Sequence, residues 1–165
     1  MNLQDTQNLI AFHYWARNRI LDAVEPLSQE QFTRELGGSF GSVRNTLVHT
    51  FSAERVWLTR WKRESPMGML GPEGFPDLAA LRRAWADHEA KLRGFFDPLD
   101  EQGIQQVLPY KTLTGLDSSA RLWQMLQHVV NHGSYHRGQV TTLLRQLGAA
   151  PPKGMDMIAY YRENP

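Results

Sequence analysis

Gln127-His128-Val129-Val130-Asn131-His132-Gly133-Ser134-Tyr135-His136-Arg137-Gly138-Gln139 sets three histidines four residues apart. Around them the apolar residues repeat with a helical period. Leu122, Met125, Leu126, Val129, Val140, Leu143, Leu144 and Leu147 fall in one stripe at ~100° per residue. On a helix, side chains four apart stand one turn above each other, so neighbouring imidazoles can aim at a common point. His132 and His136 lie on the flank of the stripe, and His128 lies further toward its edge. An imidazole turned toward a core is costly unless a polar partner receives it. The spacing points to a helix that holds a metal.

Three more helical patterns precede this one. The first runs from Leu3 to Val24, with Leu9, Phe12, Ala16, Ile20 and Ala23 on one face, and Pro26 ends it. The second opens after Gly41 with Ser42 as N-cap and runs to about Lys62 through Val43, Leu47, Phe51, Trp57, Leu58 and Trp61. The third is capped by Asp77 and runs to about Asp97, with Leu78, Leu81, Trp85, Leu92, Phe96 and Leu99 toward the core. The fourth, which carries the histidines, is expected to be capped by Ser118 or Ser119 and to end at Gly148, with Pro151 and Pro152 beyond. Prolines and glycines make the segment from Ser65 to Pro76 a loop. Between Gln102 and Asp117, Val107, Leu108, Tyr110 and Leu113 sit among Pro109 and Gly115, which predicts an extended crossover or short hairpin. A last turn around Asp156 to Arg162 is expected to pack back on the helices. Amphipathic helices of about twenty residues, with one long connection between the third and fourth, describe an all-α four-helix bundle, one domain over residues 1–165. Bundles build metal sites from side chains on facing helices.

Composition narrows the chemistry. The chain has 165 residues, no cysteine and a net charge of +1. The lack of cysteine excludes disulfides, thiolate zinc sites, iron–sulfur ligation and a cysteine nucleophile, so a bound metal must use nitrogen and oxygen ligands. Mixed charges near neutrality argue against nucleic-acid or anionic-membrane partners. No secretory leader or membrane helix is legible, and the expected location is the cytoplasm. His-Glu-x-x-His, Gly-x-Ser-x-Gly, a Gly-rich phosphate loop and the Glu-x-x-His pair of di-iron bundles are all missing. A mononuclear, mostly histidine site is what remains.

One helix rarely supplies three ligands to one ion, so another helix should contribute. His49, at the rim of the second helix's stripe beside Ala53 and Val56 and so facing either a pocket or the surface, is the leading candidate. His13 and His88 also fall on inner faces and stay open as ligands or as core histidines. Glu54 falls near the centre of its stripe, where a carboxylate needs a partner; either Arg137 supplies a buried ion pair or Glu54 reaches water. The five tryptophans read as core or pocket wall.

The run His128-x-x-Asn131-His132-x-x-Tyr135-His136-Arg137-Gly138-Gln139-Val140, followed by Leu143-Leu144-Arg145-Gln146-Leu147-Gly148, resembles the C-terminal motif of the DinB superfamily, the damage-inducible DinB/YfiT-like proteins. Ser39-Phe40-Gly41-Ser42-Val43-Arg44-Asn45-Thr46-Leu47-Val48-His49 is similar to the family's other motif, and Asp156-Met157-Ile158-Ala159-Tyr160 to its tail. The resemblance implies an up-down-down-up bundle and one divalent metal ion, zinc or nickel, bound by three histidines that match His49, His132 and His136. It implies a homodimer as well. His128 matches a position that is not usually a ligand; with Glu54, Arg137, Gln139 and His88 it is a candidate for supporting the ligands or lining the pocket. Many members carry a histidine where this chain has Tyr135, a position that points away from the metal face.

Characterised relatives include transferases and isomerases that use low-molecular-weight thiols. The resemblance therefore implies metal activation of such a thiol for transfer to a small electrophile. A metal-dependent hydrolase using water, or a metal-binding stress-response protein without turnover, are the alternatives. A thiol enzyme should present a cationic rim, for which Arg44, Arg137 and Lys111 are the donors at hand; a hydrolase should hold Glu54 or His88 within reach of the nucleophile.

Overall fold

Asn2, Ser42 and Asp77 each turn a side-chain oxygen onto the backbone N–H three residues ahead. These caps satisfy donors that a helix start leaves unpaired, at about 1 kcal/mol each, and open α1 (Leu3–Val24), α3 (Val43–Trp61) and α4 (Leu78–Phe96). Two helices of five residues each, α2 (Gln29–Thr33) between α1 and α3 and α5 (Glu101–Gln105) after α4, start under Ser28 and Asp100 caps. The computed structural model describes residues 1–64, 68–112 and 114–165. Leu113 and the first three residues of the loop expected over Ser65 to Pro76 lie outside the described residues.

The crossover contains a hairpin. Strands β1 (Val107–Lys111) and β2 (Asp117–Arg121) pair antiparallel, with Tyr110 opposite Ser118 and Pro109 opposite Ser119. Ser118 and Ser119 are therefore strand residues and not helix caps. The longest helix, α6 (Leu122–Gln146), is capped one residue before it by Arg121, whose backbone N–H donates to Gln124 Oε1 at 3.0 Å. Pairing with β1 keeps the backbone extended up to Arg121, and the helix starts where that pairing ends.

α6 packs against α1 and α3, and α4 packs against the same two, so the four long helices form a ring with each touching two neighbours. Tyr14, Ile20, Leu47, Leu81, Trp85, Leu92, Leu122, Leu126 and Leu144 are fully buried between them. Each large apolar side chain contributes roughly 1.5–3 kcal/mol by leaving water. A final helix, α7 (Met157–Glu163), packs Tyr160 edge-on against Phe12 and Trp15 of α1, with ring centroids 5.9 and 5.5 Å apart. Arg19 Nη2 donates to Glu163 Oε1 at 2.7 Å and holds its end. Among the described residues, no helix is long and apolar enough to cross a membrane.

Candidate metal centre

The α3·α6 contact places His49 opposite His132 and His136. The Nε2 atoms of His49 and His132 are 3.2 Å apart, and those of His132 and His136 are 3.0 Å apart. One ring nitrogen from each of the three lies within 4.8 Å of the other two, the one such cluster among the described residues. His136 is buried and the other two are half-buried.

Two of the three rings are held from behind. His136 donates Nδ1–H to Gln139 Oε1 at 2.7 Å, which leaves its Nε2 as a bare lone pair facing the cluster. His49 is stacked by Phe40, centroids 4.0 Å apart and planes 23° apart, and the same phenyl meets His136 edge-on at 5.4 Å. Phe40 reaches there because the chain doubles back at Gly41, where φ is +77°; Leu36 N–H donates to Gly41 O at 2.7 Å. At that φ any side chain would be strained, so the turn calls for glycine.

The electrostatics keep the rings neutral. Burial pushes His132 down to about 3, helped by His136, His49 and His128. His49 falls to about 4 through burial and then His136. His136 is also lowered by burial, against the opposing bond to Gln139. Three neutral imidazoles whose Nε2 atoms converge can share one proton between them at most. A divalent cation satisfies all three lone pairs, so the donor set fits the ion that the sequence implies.

The other sequence candidates are placed differently. Glu54 does not pair with Arg137. Its carboxylate accepts from His13 Nε2 and Trp85 Nε1, both at 2.8 Å, and lies 3.9 Å from His88 Nε2. Full burial would raise Glu54, but the charge and hydrogen bond of His13, then His88 and Trp85, bring it below the usual carboxylate value. His13 and His88 therefore serve this core network and do not join the cluster. His88 is pushed down to about 4 by burial, which outweighs the opposing pull of Glu54. Arg137 faces α1 and donates to Ser134 Oγ at 2.7 Å, lining a cavity that none of the three clustered histidines touches. Lys111 is paired with Asp117 on the hairpin, and Arg44 Nε donates to Asn45. No cationic rim assembles from these three.

His128 stands one turn from His132, ring centroids 6.1 Å apart, edge-on to Trp57 at 5.1 Å. Its ring nitrogens make no hydrogen bond among the described residues, and it faces solvent on one side. Burial of the rest, followed by Arg60, lowers it and keeps the imidazole neutral. Phe40 is the functional side chain that helix periodicity could not find, since it lies in the loop before α3.

The sequence profile of the DinB family matches residues 1–164. Protein DinB of Bacillus subtilis is 28% identical over 156 residues, 86% of each chain. Two solved structures share the fold. YfiT from Bacillus subtilis, described as a probable metal-dependent hydrolase with an unusual four-helix bundle topology, superimposes with TM-score 0.63 at 18% identity over 91% of both chains. A DinB-like protein from Bacillus cereus gives TM-score 0.62 at 16% identity, covering 86% of this chain and 91% of that one.

Proposed function

The chain belongs to the DinB family, and we propose that it is a metal-dependent enzyme in which His49, His132 and His136 hold one divalent ion, zinc or nickel, while His128 takes the proton of the nucleophile. The observation that carries this reading is the convergence of three neutral Nε2 atoms within 4.8 Å, one of them fixed as a bare lone pair by Gln139. Such an ion would supply Lewis acidity at an open coordination position, bringing the pKa of water or a thiol there toward neutrality. The protein does the rest. Phe40 and Gln139 hold the ligand rings in place, and the core keeps them uncharged. His128, one turn along α6, has no competing partner for the proton it would accept.

Water is the favoured nucleophile. A free neutral base beside the cluster suits hydrolysis of a small ester or amide. The description of YfiT as a probable metal-dependent hydrolase points the same way. Transfer of an exogenous thiol is the second reading. Arg60 supports it: this buried guanidinium lies 4.6 Å from the Trp57 ring, its Nε has no hydrogen-bond partner, and it acts on His128, so it could receive a carboxylate of the thiol. In either case the chain brings no cysteine of its own.

The experiment is metal analysis of the purified protein followed by paired assays, 4-nitrophenyl acetate hydrolysis and thiol conjugation to monochlorobimane. The hydrolase reading requires chelator-sensitive ester turnover that drops roughly 10²–10⁴-fold in His128→Gln. Conjugation without hydrolysis would install the thiol reading instead. Stoichiometric metal with neither activity would leave a metal-binding protein.

A further inference from the structure

Between α1, α6 and the segment leading into α7 lies a cavity of about 710 Å³, lined by Leu9, Phe12, Asn131, Ser134, Arg137 and Met157 among others, and by no histidine. Its volume is that of an ordinary small-molecule site, and its walls are mostly apolar with a few convergent polar groups.

The informative wall is Arg137. It is only 5% exposed, yet among the described residues its guanidinium makes one side-chain hydrogen bond, Nη2–H to Ser134 Oγ at 2.7 Å, and no ion pair. Glu54, the nearest buried carboxylate acting on it, has both oxygens committed to His13 and Trp85. A guanidinium carries five N–H donors and is rarely buried without a carboxylate or phosphate against its fork. It is also held in place. A Cβ at Gly133 would fall 3.0 Å from Arg137 Nη1 and 2.8 Å from His13 Cε1, so the missing side chain makes room for both groups. The guanidinium carbon sits 5.8 Å from the Phe12 ring, which closes one side of the fork.

We propose that this cavity is a binding site for a small organic monocarboxylate, its carboxylate on the Arg137 fork and its apolar body against Leu9, Phe12 and Met157. Asp156, exposed at the wall and with no capping hydrogen bond from its side chain at the start of α7, sets the charge limit. It repels a second negative group on the ligand, which favours a monoanion over a phosphate ester or dicarboxylate. Ser134 is a positioning residue that orients the guanidinium. The site stands apart from the metal centre, so it survives if the proposed activity is wrong.

The test is titration of the intact protein with 3-phenylpropionate and with the neutral 3-phenylpropionamide, with and without chelator, followed by backbone amide NMR. The acid should bind roughly tenfold or more tighter than the amide, shift Asn131, Ser134 and Gly138, and do so equally after chelation. Arg137→Gln should erase the preference for the acid. Because that variant removes a buried group, Gly138→Leu is the second one. Gly138 lines the cavity and a Cβ there meets nothing within 4 Å, so leucine should fold, fill the groove and abolish binding. No binding of the acid up to about 10 mM, equal binding of acid and amide, or shifts confined to His49, His132 and His136 would overturn the proposal. Conversion of a dimer to a monomer by Gly138→Leu would also overturn it, by assigning the cavity to contact between copies.

Discussion

Gln139 accepts the Nδ1–H of His136 at 2.7 Å, one turn along the same helix, and so decides which nitrogen of His136 faces the cluster. Replacing the acceptor with leucine frees the ring to rotate and to change tautomer. Gln139→Leu should bind zinc about 10–100-fold more weakly with unchanged helicity, read by competition against a chromophoric chelator. An unaltered affinity would show that the bond has no part in holding the ring.

His132→Ala and His136→Ala should each abolish stoichiometric metal binding. His128→Ala should retain it, because its ring centroid is 6.1 Å from that of His132 and its nitrogens are not part of the cluster. Metal content by mass spectrometry separates these cases. Equal loss from all three variants would mean the ligand set is wrong.

Glu54 is the anchor of the core network. Glu54→Ala leaves His13 and the Trp85 N–H buried without an acceptor, and should cost roughly 3–5 kcal/mol, seen as a lower urea midpoint. Glu54→Gln keeps one acceptor oxygen and should lose less. If both variants unfold at the wild-type midpoint, the network does not contribute to stability.

Two glycines of α6 should respond with opposite sign to alanine. At Gly138 the added methyl meets open space, and helix propensity should stabilise by up to about 1 kcal/mol. At Gly133 it lands 2.8 Å from the buried ring of His13, so the clash should outweigh the same gain and lower the melting temperature.

Acid should weaken the metal-free protein earlier than its carboxylates alone would. Burial, partly opposed by Glu54, takes His88 from 6.5 unfolded to about 4 folded. Between those values the unfolded chain binds more protons, so stability is full above pH 6.5 and falls as pH drops toward 4. His88 contributes roughly 3 kcal/mol to that loss, and His49 and His132 act in the same direction. Urea titrations across this range in the presence of chelator provide the check; a stability that rises on acidification would contradict the neutral assignment.

The long helices are legible in the sequence because 19 to 25 residues give several turns over which a stripe can repeat. Five-residue α2 and α5 cannot show that period. Ser118 and Ser119 suit a helix cap equally well, and only pairing with Tyr110 and Pro109 draws them into a strand. The same limit governs the site. Spacing alone places His132 and His136 on one face, but angular counting cannot say which helix that face meets. It therefore leaves Glu54 either to Arg137 or to water, whereas Arg137 turns toward α1 and His13 takes the carboxylate. His49 leads as the third ligand from its rim position, and only the contact of α3 with α6 turns it toward His132 and His136 and away from the surface.

The separation of 83 positions between His49 and His132 gives the metal centre a mechanical meaning. An ion gripped by both would tie α3 to α6 and close a loop of half the chain. The unfolded polymer would forfeit about 4–5 kcal/mol of freedom, as with a long-range cross-link. In a protein without a single cysteine, that tether would take the place of a disulfide. Unlike a disulfide, it could be undone by a chelator without any change of redox state.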